Sequence, residues 1–168
     1  LYGPRHRTTL TILNNRAGVL RDQGKHAEAE LIYRRVLEIR TEAFPDDVMA
    51  RAYILHGLGW VLAEQGRPGE AEPLLQEMLE ILEEEGDDPG SWRYQIARNT
   101  LGRTLALQGR FEEAEPLLRE SYEWIIAQDP EGNHEIFEER LKDLYRNWGR
   151  ADALAELDAT GGGRPEYP

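Results

Sequence analysis

The sequence contains no cysteine. That excludes a disulfide framework and any thiolate metal site. Its four histidines, at 6, 26, 56 and 134, share no ligand spacing such as i, i+4. No apolar run approaches the roughly 18 residues of a membrane span, and no signal peptide is visible. The expected location is therefore cytoplasmic. The chain opens on Leu1 rather than Met, which leaves open a fragment or a processed product that has lost a targeting segment. Basic residues are outnumbered: 20 Lys and Arg stand against 32 Asp and Glu, a net charge of −12. Phosphate backbones and anionic lipid surfaces are bound by basic footprints, so neither nucleic acid nor a membrane is an expected partner.

Catalytic signatures are missing too. There is no Gly-rich phosphate loop, serine elbow, paired-carboxylate site or metal box. Glu138, Glu139 and Asp143 share one face of a predicted helix but lack a histidine at ligand spacing, and His134 sits in a loop. No catalytic residue, metal or cofactor is predicted, and the chain is not expected to be an enzyme.

What is present is a repeat. Gln65-Gly66-Arg67-Pro68-Gly69-Glu70-Ala71-Glu72 reads as a tight turn opening an amphipathic helix. Related stretches begin at Gln23 and Gln108, and a worn copy begins at Trp148. The turn glycines fall at 24, 66, 109 and 149, with spacings of 42, 43 and 40 residues. A fixed period of this size is the signature of a solenoid, in which each repeat packs only on its neighbours. Apolar residues at helical spacing fill the stretches between turns. Thr8 or Thr9 is placed to cap a first helix running to Asp22, burying Leu10, Leu13, Ala17 and Leu20. The second spans 26–43 and ends before Pro45. It buries Ala29, Ile32, Tyr33, Val36, Leu37 and Ile39. Asp46 or Asp47 caps a third helix over 48–65, and a fourth runs from Pro68 to about Glu85. Ser91 caps a fifth to Gln108, and a sixth spans 111–128. A last, degenerate pair lies near 133–147 and 150–159. Pro73 and Pro116 fall inside predicted helices, where the repeat overrides them. The organisation is one domain over 1–159, with repeats at about 8–46, 47–90 and 91–130 and a capping pair at 131–159. A Gly-rich tail follows over 160–168.

At its turns the chain resembles tetratricopeptide repeats over about residues 8–159. Leu58-Gly59 and Leu101-Gly102 resemble the family's Leu-Gly pair in the first helix of each repeat. Ala29, Ala71 and Ala114 match its small residue early in the second helix. The family's usual unit is 34 residues. The longer unit here is similar to kinesin light chain repeats and to repeat regions of bacterial signalling proteins. Leu13-Asn14-Asn15-Arg16-Ala17 and Glu38-Ile39-Arg40 carry that likeness. The resemblance implies an all-α fold, a right-handed superhelical solenoid of antiparallel helix pairs. Arg16 departs from it, standing where a core Leu is expected. Lys142 departs too, replacing a small residue in the fourth pair, as suits a terminal cap.

The resemblance also implies a concave groove lined by the first helices. Counting back ten residues from the first three turn glycines gives Asn14, His56 and Asn99. Counting back six adds Trp60 and Arg103, three adds Arg21, and thirteen adds Tyr53 and Ile96. Amides suit the main chain of an extended peptide, Trp and Tyr offer apolar area with a polar tip, and Arg fits carboxylates. These eight residues are the expected peptide-binding set. Against this stand packing roles for Trp60 and His56, and local ion pairs for Arg21 and Arg103. Of the family's carboxylate clamp only Arg103 fits, so a groove that reads side chains is expected instead of one that holds a chain terminus. The expected function is a non-catalytic protein- or peptide-binding scaffold whose partner is acidic and carries an aromatic anchor. Self-association through the tail 161–168 is a further expectation. The rival readings are a structural or oligomerising spacer and the regulatory region of a larger bacterial signalling protein. The glutamates of the fourth helix, Glu70 to Glu85, read as a solvated face.

Overall fold

In a computed structural model, which describes residues 3–129, 132 and 134–161, the chain forms eight helices and, among the described residues, no strand. They are α1 (Arg7–Asp22), α2 (His26–Ala43), α3 (Val48–Glu64), α4 (Pro68–Glu84), α5 (Trp92–Leu107), α6 (Phe111–Gln128), α7 (Glu135–Trp148) and α8 (Ala151–Gly161). Each helix packs on the next in sequence, and α1, α3, α5 and α7 also touch in series. The result is a right-handed solenoid of antiparallel pairs. Nothing is described for most of the tail, so the expected self-association through 161–168 lies outside the described residues.

The turns are built alike. Gly24, Gly66, Gly109 and Gly149 hold φ between 73° and 76°, the left-handed region open to a residue without Cβ. At the first, Lys25 N–H donates to the Leu20 carbonyl and Gly24 N–H to that of Arg21. The same two bonds recur at Arg67, Arg110 and Arg150, and satisfy carbonyls that a helix end would otherwise leave bare.

The residue after each glycine does a second job. Arg67 donates to Glu30 of the preceding second helix at 2.9 Å and to Glu70 of its own at 2.7 Å. Arg110 repeats this with Glu72 at 2.7 Å and Glu113 at 2.7 Å. Gln65 and Gln108 donate to the same Glu30 and Glu72. Each Gln-Gly-Arg turn is therefore a clamp that ties one repeat to the one before. Glu72 is not part of a solvated face as expected, and Glu77 and Glu83 are held by Arg51 and Tyr94.

Close helix approach explains the small residues. Gly59 lies against Leu75, whose Cγ is 2.8 Å from where a Cβ would stand, and Gly102 lies 2.9 Å from Leu118 Cγ in the same sense. Ala29, Ala71 and Ala114 are fully buried opposite. In α7 the equivalent position is Lys142, whose Nζ bonds Glu138 and, on α8, Asp158, each at 2.9 Å.

Several local expectations are corrected. His6, not Thr8 or Thr9, caps α1: its Nδ1 accepts from Thr8 N–H at 3.2 Å. Asp47 stands at the N-cap position of α3 but makes no cap bond, because its carboxylate takes Arg7 and the buried Arg40. Ser91 does cap α5. Leu13, Ile32 and Leu37 are only partly buried. Pro73 and Pro116 sit exposed inside continuous helices.

Candidate peptide-binding groove

Six of the eight expected residues fall into two clefts that meet at Arg21. The first, of about 520 Å³, lies between α1 and α3 and is lined by Asn14, Arg21, Tyr53 and His56. The second, of about 510 Å³, draws on all four first helices: Arg21 from α1, Trp60 and Glu64 from α3, Arg103 from α5, and Glu139 and Arg140 from α7. Helical period brings them together, since residues at a fixed offset from each turn share one face of stacked helices.

The second cleft is centred on Trp60. The Arg21 guanidinium carbon lies 4.3 Å from its ring centroid and that of Arg140 lies 4.9 Å away. An arginine over an indole face is held by the ring quadrupole, and the pair orders both side chains. His56 meets the ring edge-on at 6.0 Å. Arg103 is not free: its Nε donates to Glu64 at 2.9 Å. Glu139 and Asp143, at the rim, are both bound by Arg146. Arg140 is 6% exposed, and its Nη1 donates to Asn99 Oδ1 at 2.6 Å. Among the described residues no carboxylate ion-pairs with it. Burial, then repulsion from Arg103 and Arg21, pulls its pKa down to about 10. It is still charged at neutral pH, so three guanidiniums, those of Arg21, Arg103 and Arg140, line the cleft against the four carboxylates of Asp22, Glu64, Glu139 and Asp143, of which Asp22 is bound by Arg21.

In the first cleft the buried Asn14 Oδ1 has no hydrogen-bond partner among the described residues, an acceptor left unsatisfied in the free chain. Tyr53 is exposed. His56 is buried and bonds Thr100 Oγ1 at 3.1 Å. The Thr100 hydroxyl proton already goes to the Ile96 carbonyl, so His56 Nε2 is the donor of that pair. Burial, then Arg21 and Arg140, push its pKa down to about 3, so it is neutral. His56 is therefore built into the wall.

Two expected residues stand apart. Asn99 has no exposed surface: its amide nitrogen donates to Ser121 Oγ at 2.9 Å and its oxygen is taken by Arg140. Ile96 is partly buried and lines neither cleft. Conversely, the sequence reading omitted Arg140 and the rim it belongs to. Carrying the same count back from Gly149 reaches Ile136, Glu139 and Asp143, all of which line the second cleft, with Arg140 beside them. Among the described residues no cluster of three metal-ligating side chains occurs, and no helix is long and apolar enough to cross a membrane.

Comparison with known proteins agrees with this architecture. Tetratricopeptide repeat models match residues 1–84 and 96–123. A structure described as a Podosopora anserina putative kinesin light chain with nearly identical TPR-like repeats is 20% identical, with a TM-score of 0.68, covering 93% of this chain and 74% of that one. A variant of that protein carrying a substitution gives 0.72 at 20% identity, covering 94% and 75%. BtubC (BKLC) from P. vanneervenii gives 0.66 at 18% identity, covering 95% and 67%. No curated protein matches the chain. With half its length under one repeat model and its fold shared by kinesin-light-chain-like solenoids, the chain belongs to the tetratricopeptide repeat family, a protein-interaction module.

Proposed function

We propose that this chain is a non-catalytic scaffold that binds an extended acidic peptide or protein segment along its concave groove. One observation carries the reading: Arg21, Arg103 and Arg140, from three different helices, gather in one cleft with Trp60, where Asp22 holds Arg21 and Glu64 holds Arg103 while Arg140 ion-pairs with no carboxylate among the described residues. A carboxylate of the partner competes with Glu64 for Arg103 and meets Arg21 and Arg140 at the same time. An apolar or aromatic side chain rests on the open part of Trp60, and Asn14 Oδ1 accepts a main-chain N–H. Charged groups in a cleft that loses its water on binding contribute more than the same groups on an open surface.

Panning a random peptide library on the chain tests this. The expected enrichment is for Asp or Glu near an aromatic residue. Arg103→Glu weakens such peptides by on the order of tenfold, about 1.4 kcal/mol, and the difference shrinks at high salt. Trp60→Ala weakens them with little salt dependence. Peptides that bind both variants as tightly as the wild type would overturn the groove reading.

A further inference from the structure

The helices α3, α5 and α7 each bury a stripe against the second helix before them. Counted from the turn glycine, it lies twelve, eight and five residues upstream. In α3 these are Ile54, Leu58 and Val61, in α5 Ala97, Leu101 and Thr104, and in α7 Phe137, Leu141 and Leu144; none is more than 7% exposed. On the same side of α3, Gly57 lies directly against the Tyr33 ring of α2. In α1 the stripe reads Ile12, Arg16 and Val19. Ile12 is 62% and Val19 56% exposed, and Arg16 is exposed between them with no ion pair among the described residues. The other apolar face of α1, carrying Leu10, Ala17 and Leu20, is already buried against α2. Leu31 is also exposed, but its register equivalents Pro73 and Pro116 are exposed as well, so it belongs to no such stripe.

The geometry points to the outer face of α1 as a docking surface for an acidic amphipathic helix of a partner protein, seated as α2 sits on α3. Three internal interfaces define the shape of the occupant: a helix of 17 or 18 residues, like α2, α4 and α6, with an aliphatic stripe. Arg16, in place of the leucine found at 58, 101 and 141, defines its charge: a carboxylate set in the stripe. A second copy of this chain fits poorly. On its last helix, α8, the exposed apolar side chains among the described residues are Ala151, Ala155 and Ala159, too small to form an aliphatic stripe against Ile12 and Val19. Two α1 faces set against each other bring Arg16 near its own copy, and the only carboxylate on α1, Asp22, is held by Arg21.

A synthetic peptide with the sequence of α4, residues 68–84, is a suitable probe. It has six glutamates and no basic residue, and its Met78 and Leu82 cover Ala97 of α5. Titrating the fluorescent peptide with the 168-residue chain and following anisotropy should show saturable binding. Ile12→Ser with Val19→Ser should weaken it by about tenfold or more without changing the melting temperature, because both side chains are exposed in the free chain. Arg16→Glu should weaken it severalfold, and a peptide with lysine in place of Glu77 or Glu80 should regain the loss. Trp60→Ala should leave it unchanged. No binding to the wild type, equal binding to the double variant, or an equal loss in Trp60→Ala would overturn the proposal. So would sedimentation of the wild type as a dimer that the double variant dissociates, which would assign the face to a second copy.

Discussion

Arg140 reaches across from α7 to hydrogen-bond Asn99 on α5 at 2.6 Å, and the bond closes that amide off from the groove. The two residues lie 41 positions apart, about one repeat, so the contact joins the third and fourth helix pairs through their interior. Asn99→Leu keeps the volume and removes the acceptor, leaving a buried guanidinium without this hydrogen bond. A loss of about 2–3 kcal/mol in urea unfolding is expected. Asn99→Asp restores an acceptor, now charged, and should lose much less. Equal losses in the two variants would mean that the bond contributes little.

The glycines of the first helices make a packing prediction. Gly59→Ala and Gly102→Ala each place a Cβ within 3 Å of a leucine in the next helix. Overpacking should cost about 1–3 kcal/mol, more than the helix propensity gained. Gly69 is also helical but has nothing within 4 Å of a Cβ, so Gly69→Ala should be neutral or slightly stabilising. Ala71→Leu, at a fully buried contact, should cost a similar 1–3 kcal/mol, roughly. Thermal melts of the four variants measure all of these.

His56 gives the fold a pH dependence. Its pKa is about 3 when folded and near the ordinary 6.5 when unfolded. Below 6.5 the unfolded chain binds a proton that the native chain refuses. Stability therefore falls as pH drops from about 6.5 towards 3, by roughly 1.4 kcal/mol per unit. His56→Gln keeps a donor for Thr100 and should flatten this slope between pH 6 and 5, as read by urea unfolding at several pH values. The rest of the chain is common to both proteins, so its contribution cancels in the comparison. Parallel slopes would show that His56 is not the cause.

The turn clamps predict the opposite end of the acid range. The Gln108 hydrogen bond lowers the Glu72 pKa; burial opposes this, and Arg110 adds to the lowering. Its contribution to stability is present above the ordinary glutamate range and is lost as pH falls below it. Glu72→Gln should cost about 1–2 kcal/mol at pH 7, and the variant and wild type should converge as pH falls below the ordinary glutamate range. A constant difference across that range would assign the loss to packing instead of charge.

The solenoid was legible in the chain because its causes are local. Glycines at 24, 66, 109 and 149 take a backbone conformation that Cβ disfavours, and the apolar period between them sets each helix and its inward face. The same period carries Asn14, Arg21, Tyr53, His56, Trp60 and Arg103 to one side. Periodicity names the face of a helix but not what lies over it. Only the tertiary structure decided that Arg140 covers Asn99, that Glu64 holds Arg103, and that Asp47 serves Arg40 instead of a cap. Those pairings join side chains 41, 39 and 7 residues apart. Buried or half-buried charges must find partners wherever the packed helices bring one within reach, and no local pattern encodes that choice. The stripe of Ile12, Arg16 and Val19 shows both halves of this division. Its register is written in the sequence, while its exposure follows from the absence of a described helix against it.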